Sequence, residues 1–179
     1  MKGIIFRLLE SFVVEGHDMM VWDNALENCD LASKGIYIGT EKYPDEELFQ
    51  LISYLSKQLQ TSQDDILRQL GQYVFPSLYQ TAFDVIKHAK RLREFLLMVD
   101  DVIHVEVRKL HPDAHLPKFD YMEHKTKLVM QYRSPRQLCH FSEGLILAAA
   151  EHFNEHVEIN QPICMHKGGE FCEIHIVFK

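Results

Sequence analysis

The sequence contains no block rich in lysine and arginine, and its 26 acidic residues outnumber 19 basic ones, for a net charge of −7. A nucleic acid is therefore a poor candidate partner, because binding one calls for a basic patch that neutralises phosphates. A disulfide framework is missing too. Cys29 stands alone near the N-terminus, and Cys139, Cys164 and Cys172 fall in the last quarter. Such clustering points to metal binding or to reduced core thiols. The opening stretch "MKGIIFRLLESFVVEG" is apolar but carries Arg7 and Glu10 and no small-residue cleavage site. It reads as an amphipathic helix, not as a signal peptide or a membrane span. The expected location is the cytoplasm, with no membrane partner. Internal repeats, low-complexity tracts and linkers are absent, as is any kinase, cyclase or other catalytic signature.

What is present is ordinary for a globular protein: 179 residues, 46% of them hydrophobic, enough for one well-buried core or at most two small units. Residues 2–15, 18–29, 45–59, 63–74 and 77–89 read as successive helices, with Thr61 and Asp64 as a polar entry to the fourth. "GIYIGTEKYP" interrupts the run with turn residues. A further helix is expected from about residue 98 to 110, stopped by Pro112. From Leu116 the pattern changes to short strands, "LPKFDYMEH", "TKLVMQYRS", "VEINQPICM" and "FCEIHIVFK", expected to be antiparallel, with one long helix between the second and third. Helices first and a sheet later make an α+β order in a single unit.

The segment "QYRSPRQLCHF" sets Tyr132, Ser134 and Arg136 two residues apart at a strand-to-helix junction. Ser134 and Pro135 suit a helix start, as N-cap and first helical residue. That explains neither Tyr132 nor Arg136. A phenol, a hydroxyl and a guanidinium aimed at one spot suit an acceptor-rich anion, such as one carboxylate or a pair.

His104 lies at the edge of a stripe formed by Leu96, Val99, Ile103, Val107 and Leu110. Taken alone, a histidine in such a place is more often a half-buried structural residue than a ligand. A neutral imidazole on an apolar helix face is also what a haem iron takes on its proximal side, and haem carries two propionates for the donors at 132, 134 and 136. "MKGIIF", "VDDVIHVEV", "HPDAHLPKF" and Tyr132-x-Ser134-x-Arg136 together resemble the haem-nitric oxide/oxygen binding (H-NOX) family, to which the soluble guanylate cyclase haem domain belongs. The resemblance spans essentially the whole chain. It implies that His104 is the proximal ligand of haem b, that Tyr132, Ser134 and Arg136 bind the propionates, and that Pro117 presses on the porphyrin. It also implies one H-NOX domain over residues 1–179, with a helical distal subdomain of about residues 1–65, a proximal α/β subdomain of about 66–179 and haem between them.

Oxygen-binding members of that family carry a distal tyrosine at the position five residues past Arg136, and here it is Phe141. Ile5, Leu9, Val74, Leu78 and Leu145, which the resemblance places on the same side, are apolar too. Without a donor to stabilise polarised dioxygen, the expectation is a sensor of nitric oxide and CO that excludes O2. Tyr73 and His140 are the nearby residues that could supply a donor by turning inward. The resemblance also implies a mechanism: NO weakens or breaks the iron–His104 bond and releases its helix, a population shift between two states. Gly71 is either a hinge in this movement or simply a helix end. The partner would be a separate protein, in bacterial relatives typically a histidine kinase or a cyclic-di-GMP enzyme.

"CMHKGGEFC" places Cys164, His166 and Cys172 around a glycine turn, and Cys139 could join them as zinc ligands. Free core thiols are the other reading. Some bacterial H-NOX proteins resemble this and hold zinc with a histidine three residues before the first of the paired cysteines, where this chain has Gln161. His166 is then the expected fourth ligand, with His140 or His175 behind it, and thiol oxidation could make the cluster a redox module. A zinc-dependent enzyme, with Glu170 or Glu173 as acid/base, is the alternative from another class.

Overall fold

The computed structural model describes residues 1–179. Helices α1 (Gly3–Gly16), α2 (Met19–Asn28) and α3 (Asp45–Gln58) lead into a long α4 (Gln63–Ile86). Asp18 caps α2 by accepting from the Met20 amide at 2.8 Å, and Ser62 caps α4 by accepting from Asp65 at 3.1 Å. Each satisfies an amide that the first helical turn leaves unpaired. Helix α3 follows Pro44 with Asp45, Glu46 and Glu47 in its first turn, where carboxylates favour the positive end of the helix dipole. Glu47 is nonetheless buried. It is satisfied by Ser33 N–H at 3.0 Å, Ser33 Oγ at 2.5 Å and Tyr37 OH at 2.8 Å, which pins the loop after α2.

The expected pair of helices over 63–74 and 77–89 is one helix, with Pro76 inside it. An internal proline loses a backbone bond and costs about 3 kcal/mol. Pro76 is exposed, and packing on both sides of it offsets the loss. Residues up to Val74 belong to a hydrophobic cluster with α1 to α3, whereas Phe75 and Ile86 belong to a second one with the sheet. Helix α4 thus enters both cores.

The helix expected near 98–110 begins earlier and is interrupted. Helix α5 (Leu92–Met98) runs through a π-helical segment, Val99–Ile103, into α6 (His104–Leu110). Strands β1 (Lys118–Glu123) and β2 (Lys127–Arg133) come next, then α7 (Cys139–His152), β3 (Val157–Ile163) and β4 (Cys172–Phe178), in one antiparallel sheet of order β1-β2-β4-β3. Alternation along β4 buries Cys172, Ile174 and Ile176, and β2 turns Leu128, Met130 and Tyr132 inward, as a period of two dictates. A register irregularity between Asn160 and Ile163 falls at Gln161-Pro162, where proline has no amide to donate.

The long helix also starts later than expected. Ser134 does not cap it: Gln137 N–H bonds to Ser134 O at 3.1 Å to close a turn, Gln137 has φ +52, and α7 begins only at Cys139. A residue in the left-handed region cannot continue a right-handed helix, so Ser134 and Pro135 form a separate corner.

Helices α4 and α7 press together where both have glycine. A Cβ on Gly144 would lie 2.0 Å from Arg68 O, and one on Gly71 would lie 2.2 Å from Phe141 O. Gly71 is therefore neither a helix end nor a break in the chain; it is a buried contact inside α4.

Candidate functional site

His104 opens α6 directly after the π segment and is 8% exposed. Its Nδ1 lies 3.0 Å from Asp100 Oδ1, one helical turn back, and its ring stacks on Phe119 of β1 at 5.9 Å between centroids. Burial pushes its pKa below the ordinary histidine value, outweighing the upward pull of Asp100 and of the Pro117 carbonyl near the ring. The side chain is thus a neutral imidazole at neutral pH, and with Nδ1 taken by Asp100, Nε2 is the nitrogen available to a metal. Pro117 is half-buried, immediately before β1.

Tyr132 ends the buried stripe of β2 and pairs across the sheet with Phe119 and Cys172. Its oxygen accepts from Leu138 N–H at 2.9 Å, which leaves its own hydrogen to give. Burial raises its pKa to about 12, so it stays a donor at any physiological pH. Ser134 is 7% exposed and accepts the Arg136 amide at 3.2 Å. Arg136 donates Nε–H to Asp45 Oδ2 at 2.6 Å and an Nη1 hydrogen to the His115 carbonyl. Asp45, at the start of α3, also takes the N-terminal ammonium at 2.5 Å. Burial pushes the Asp45 pKa up, but Arg136 and the ammonium together hold it below the ordinary carboxylate value. The corner thus brings the three predicted residues together and joins them to a partner 91 positions earlier. No motif announces Asp45. Arg136 retains hydrogens that no neighbour takes, and the group can bind a carboxylate.

The apolar residues gather on α1, α4 and α7. Leu9 and Val74 are fully buried in the first cluster, and Leu78, Phe141 and Leu145 pack against it. Ile5 is half-buried one turn before Leu9. The two nearby polar residues are engaged elsewhere. Tyr73 packs edge-on against Phe12 at 5.7 Å, with Ser11 and Glu15 beside its hydroxyl. His140 Nδ1 lies 2.9 Å from Glu143 and its Nε2 3.4 Å from Asp64.

A model of the haem-NO-binding family matches residues 2–161. The chain belongs to this family, also known as H-NOX. An Fe(II) unliganded H-NOX protein from K. algicida is 32% identical and superposes with a TM-score of 0.93 over 100% of this chain and 97% of its own. An H-NOX protein from S. oneidensis in the Fe(II)NO ligation state is 32% identical, with a TM-score of 0.92, covering 100% of this chain and 99% of that one. An H-NOX domain from Shewanella oneidensis in the Fe(II)CO state, also 32% identical, gives 0.88 over 100% and 99%. The α+β architecture is that of these proteins. H-NOX domains bind haem and are sensor domains, not enzymes, which sets aside the zinc-enzyme alternative. No helix is long and apolar enough to cross a membrane.

The H-NOX chain brings three thiols together. Cys164 Sγ lies 3.9 Å from both Cys139 Sγ and Cys172 Sγ, and all four cysteines are free. Burial pushes the Cys139 and Cys172 thiols up, so they are protonated at neutral pH. The expected fourth ligand is placed otherwise: His166 is exposed and its Nε2 sits 2.7 Å from the Gln137 carbonyl. It is His140 whose ring nitrogen falls within 4.8 Å of the Cys139 and Cys164 sulfurs. His175 is 2.6 Å from Glu173. Gln161, where some relatives are expected to have histidine, has a buried Nε2 without a hydrogen-bond partner.

Proposed function

We propose that this H-NOX domain is a haem-based sensor of nitric oxide that also takes CO, excludes O2 and passes its state to a separate signalling protein. The observation that carries the reading is His104, a buried, neutral imidazole with Nδ1 engaged and Nε2 available. The residues present fit haem b. His104 would hold the iron, the hydrogens of Tyr132, Ser134 and Arg136 match the two propionates, and Pro117, next to His104, would bear on the porphyrin. Bound there, haem would supply a ferrous iron able to take a diatomic gas.

This chain's own residues do the rest. Ile5, Leu9, Val74, Leu78, Phe141 and Leu145 offer the gas no hydrogen-bond donor, which penalises dioxygen far more than NO or CO. His104 sits where α6 meets the π segment that packs on α4 and β1, so a weaker hold on the iron would free the imidazole and let that junction shift. The ligand then favours the released state by its differential affinity. The partner proposed, on the family resemblance alone, is a histidine kinase or a cyclic-di-GMP enzyme. The test is the absorption spectrum of the anaerobically reduced protein before and after NO. A five-coordinate ferrous haem that converts to an NO adduct supports the reading, and a colourless protein that takes up no haem refutes it.

A second reading concerns the thiols. A zinc–sulfur bond of about 2.3 Å in tetrahedral geometry sets sulfurs about 3.8 Å apart, close to the 3.9 Å found between Cys164 and each of its neighbours. That spacing suits zinc held by the thiols of Cys139, Cys164 and Cys172; His140, near Cys139 and Cys164, is favoured over the exposed His166 as a further ligand and would have to give up its contact with Glu143 or Asp64 to serve. Metal binding would expel the thiol protons, so affinity would fall as the pH is lowered. Metal analysis of the purified protein before and after mild peroxide tests it: zinc that is present and lost on oxidation supports a redox module, unchanged zinc leaves a structural site, and no zinc leaves core thiols.

A further inference from the structure

The Asp100–His104 pair spans the π segment. Both side chains are largely buried, while the adjacent Asp101 is exposed. The His104 amide donates five residues back, to the Val99 carbonyl, the bond that defines a π turn. Such turns inside α-helices are frequent at functional sites, and this one stands between the imidazole and its carboxylate. Phe119 against the ring face and Asp100 at its edge together restrict the orientation of His104.

A histidine that gives Nδ1–H to a carboxylate keeps its lone pair on Nε2, and a charged acceptor draws the proton more strongly than a neutral one, raising the basicity of Nε2 as a ligand. We propose that Asp100 is the positioning residue for His104: it fixes the tautomer and direction of the ring, and its charge strengthens the bond from Nε2 to iron, so that it sets how readily NO breaks that bond. This rests on the haem-sensor reading above. On release, the electron pair stays on Nε2 and the proton stays on Nδ1, so no proton or electron needs to be supplied. The hydrogen bond to Asp100 persists and ties any movement of the freed ring to the π segment.

The test uses the haem-loaded protein with Asp100→Asn, which removes the charge while nearly keeping the shape, and Asp100→Ala, which removes the acceptor. Resonance Raman of the reduced protein reads the iron–histidine stretching band, and the NO adduct reads release of His104. The band moves to lower frequency in Asp100→Asn and further in Asp100→Ala, and His104 is lost from the NO adduct about tenfold faster or more, the usual scale for such outer partners. An iron–histidine band that is present but unmoved in both variants overturns the role of Asp100 and leaves the haem reading standing. A wild-type protein with haem but no such band overturns the ligand assignment and the inference with it. If Asp100→Ala does not retain haem, the near-isosteric Asp100→Asn decides the matter.

Discussion

Leu9 and Val74 are wholly enclosed by other apolar side chains. On the other side of the site, Tyr132 and Ser134 are almost as deeply buried, yet their polar atoms meet Leu138 and Arg136, and Arg136 is tied to Asp45. The apolar side needs only the right volume, because burial and dispersion are non-directional. The polar side needs each donor aimed and each charge matched, because an unsatisfied buried polar group costs more than the bond it could have made is worth. On the proposed reading, one added hydroxyl on the first side should therefore alter ligand choice. The second side tolerates little change, since removing one member leaves another unpaired.

Four perturbations break or sharpen that contrast. The largest effect is expected from His104→Gly: the histidine-ligated ferrous spectrum disappears, and haem is held only when imidazole is supplied. Unaltered spectra without imidazole would show that another residue is the ligand. Next is Gly144→Ala. The new Cβ would meet Arg68 O at 2.0 Å, forcing apart the helices that carry Val74, Leu78, Phe141 and Leu145. A loss on the order of 3 kcal/mol is expected in urea or thermal unfolding, and an unchanged midpoint would mean that α4 and α7 do not approach so closely. Arg136→Ala should cost about 2 kcal/mol, the scale of a charge-assisted hydrogen bond, and should speed haem loss measured by transfer to an acceptor protein. Equal rates of transfer in variant and wild type would remove Arg136 from the haem site.

The smallest effect is in pH dependence. Burial pushes the Glu143 pKa up, but His140 and Arg68 together hold it below its ordinary value of 4.5. A depressed carboxylate contributes stability that is complete above 4.5 and is lost as pH falls through the depressed value. Glu143→Gln should flatten that part of the acid unfolding curve. A variant with the same acid slope as wild type would assign the pH dependence to other groups.

Much of this was legible in the sequence where one local rule governed. Alternation in "KLVMQYR" and "CEIHIVF" foretold β2 and β4, Pro112 foretold the end of α6, and the spacing of Tyr132, Ser134 and Arg136 foretold a shared corner. The failures arose where tertiary packing overrode a local signal. Pro76 reads as a break, but Val74 and Phe75 anchor α4 in two cores at once. Ser134-Pro135 reads as a helix start, but Gln137 turns the chain away first. The partners of the site were hardest to see. Asp45 is far away in sequence and follows no pattern, whereas Asp100 stands four residues before His104 on the same helical stretch, a spacing that brings side chains together.

The most direct test of gas discrimination by the apolar side is the absorption spectrum of the reduced protein in air-saturated buffer, run beside Phe141→Tyr. Wild type should form no stable oxygen complex, while the variant, with a phenol on that side, should form one. A stable oxygen complex in the wild-type protein would contradict the claim that this wall, for want of a donor, excludes O2.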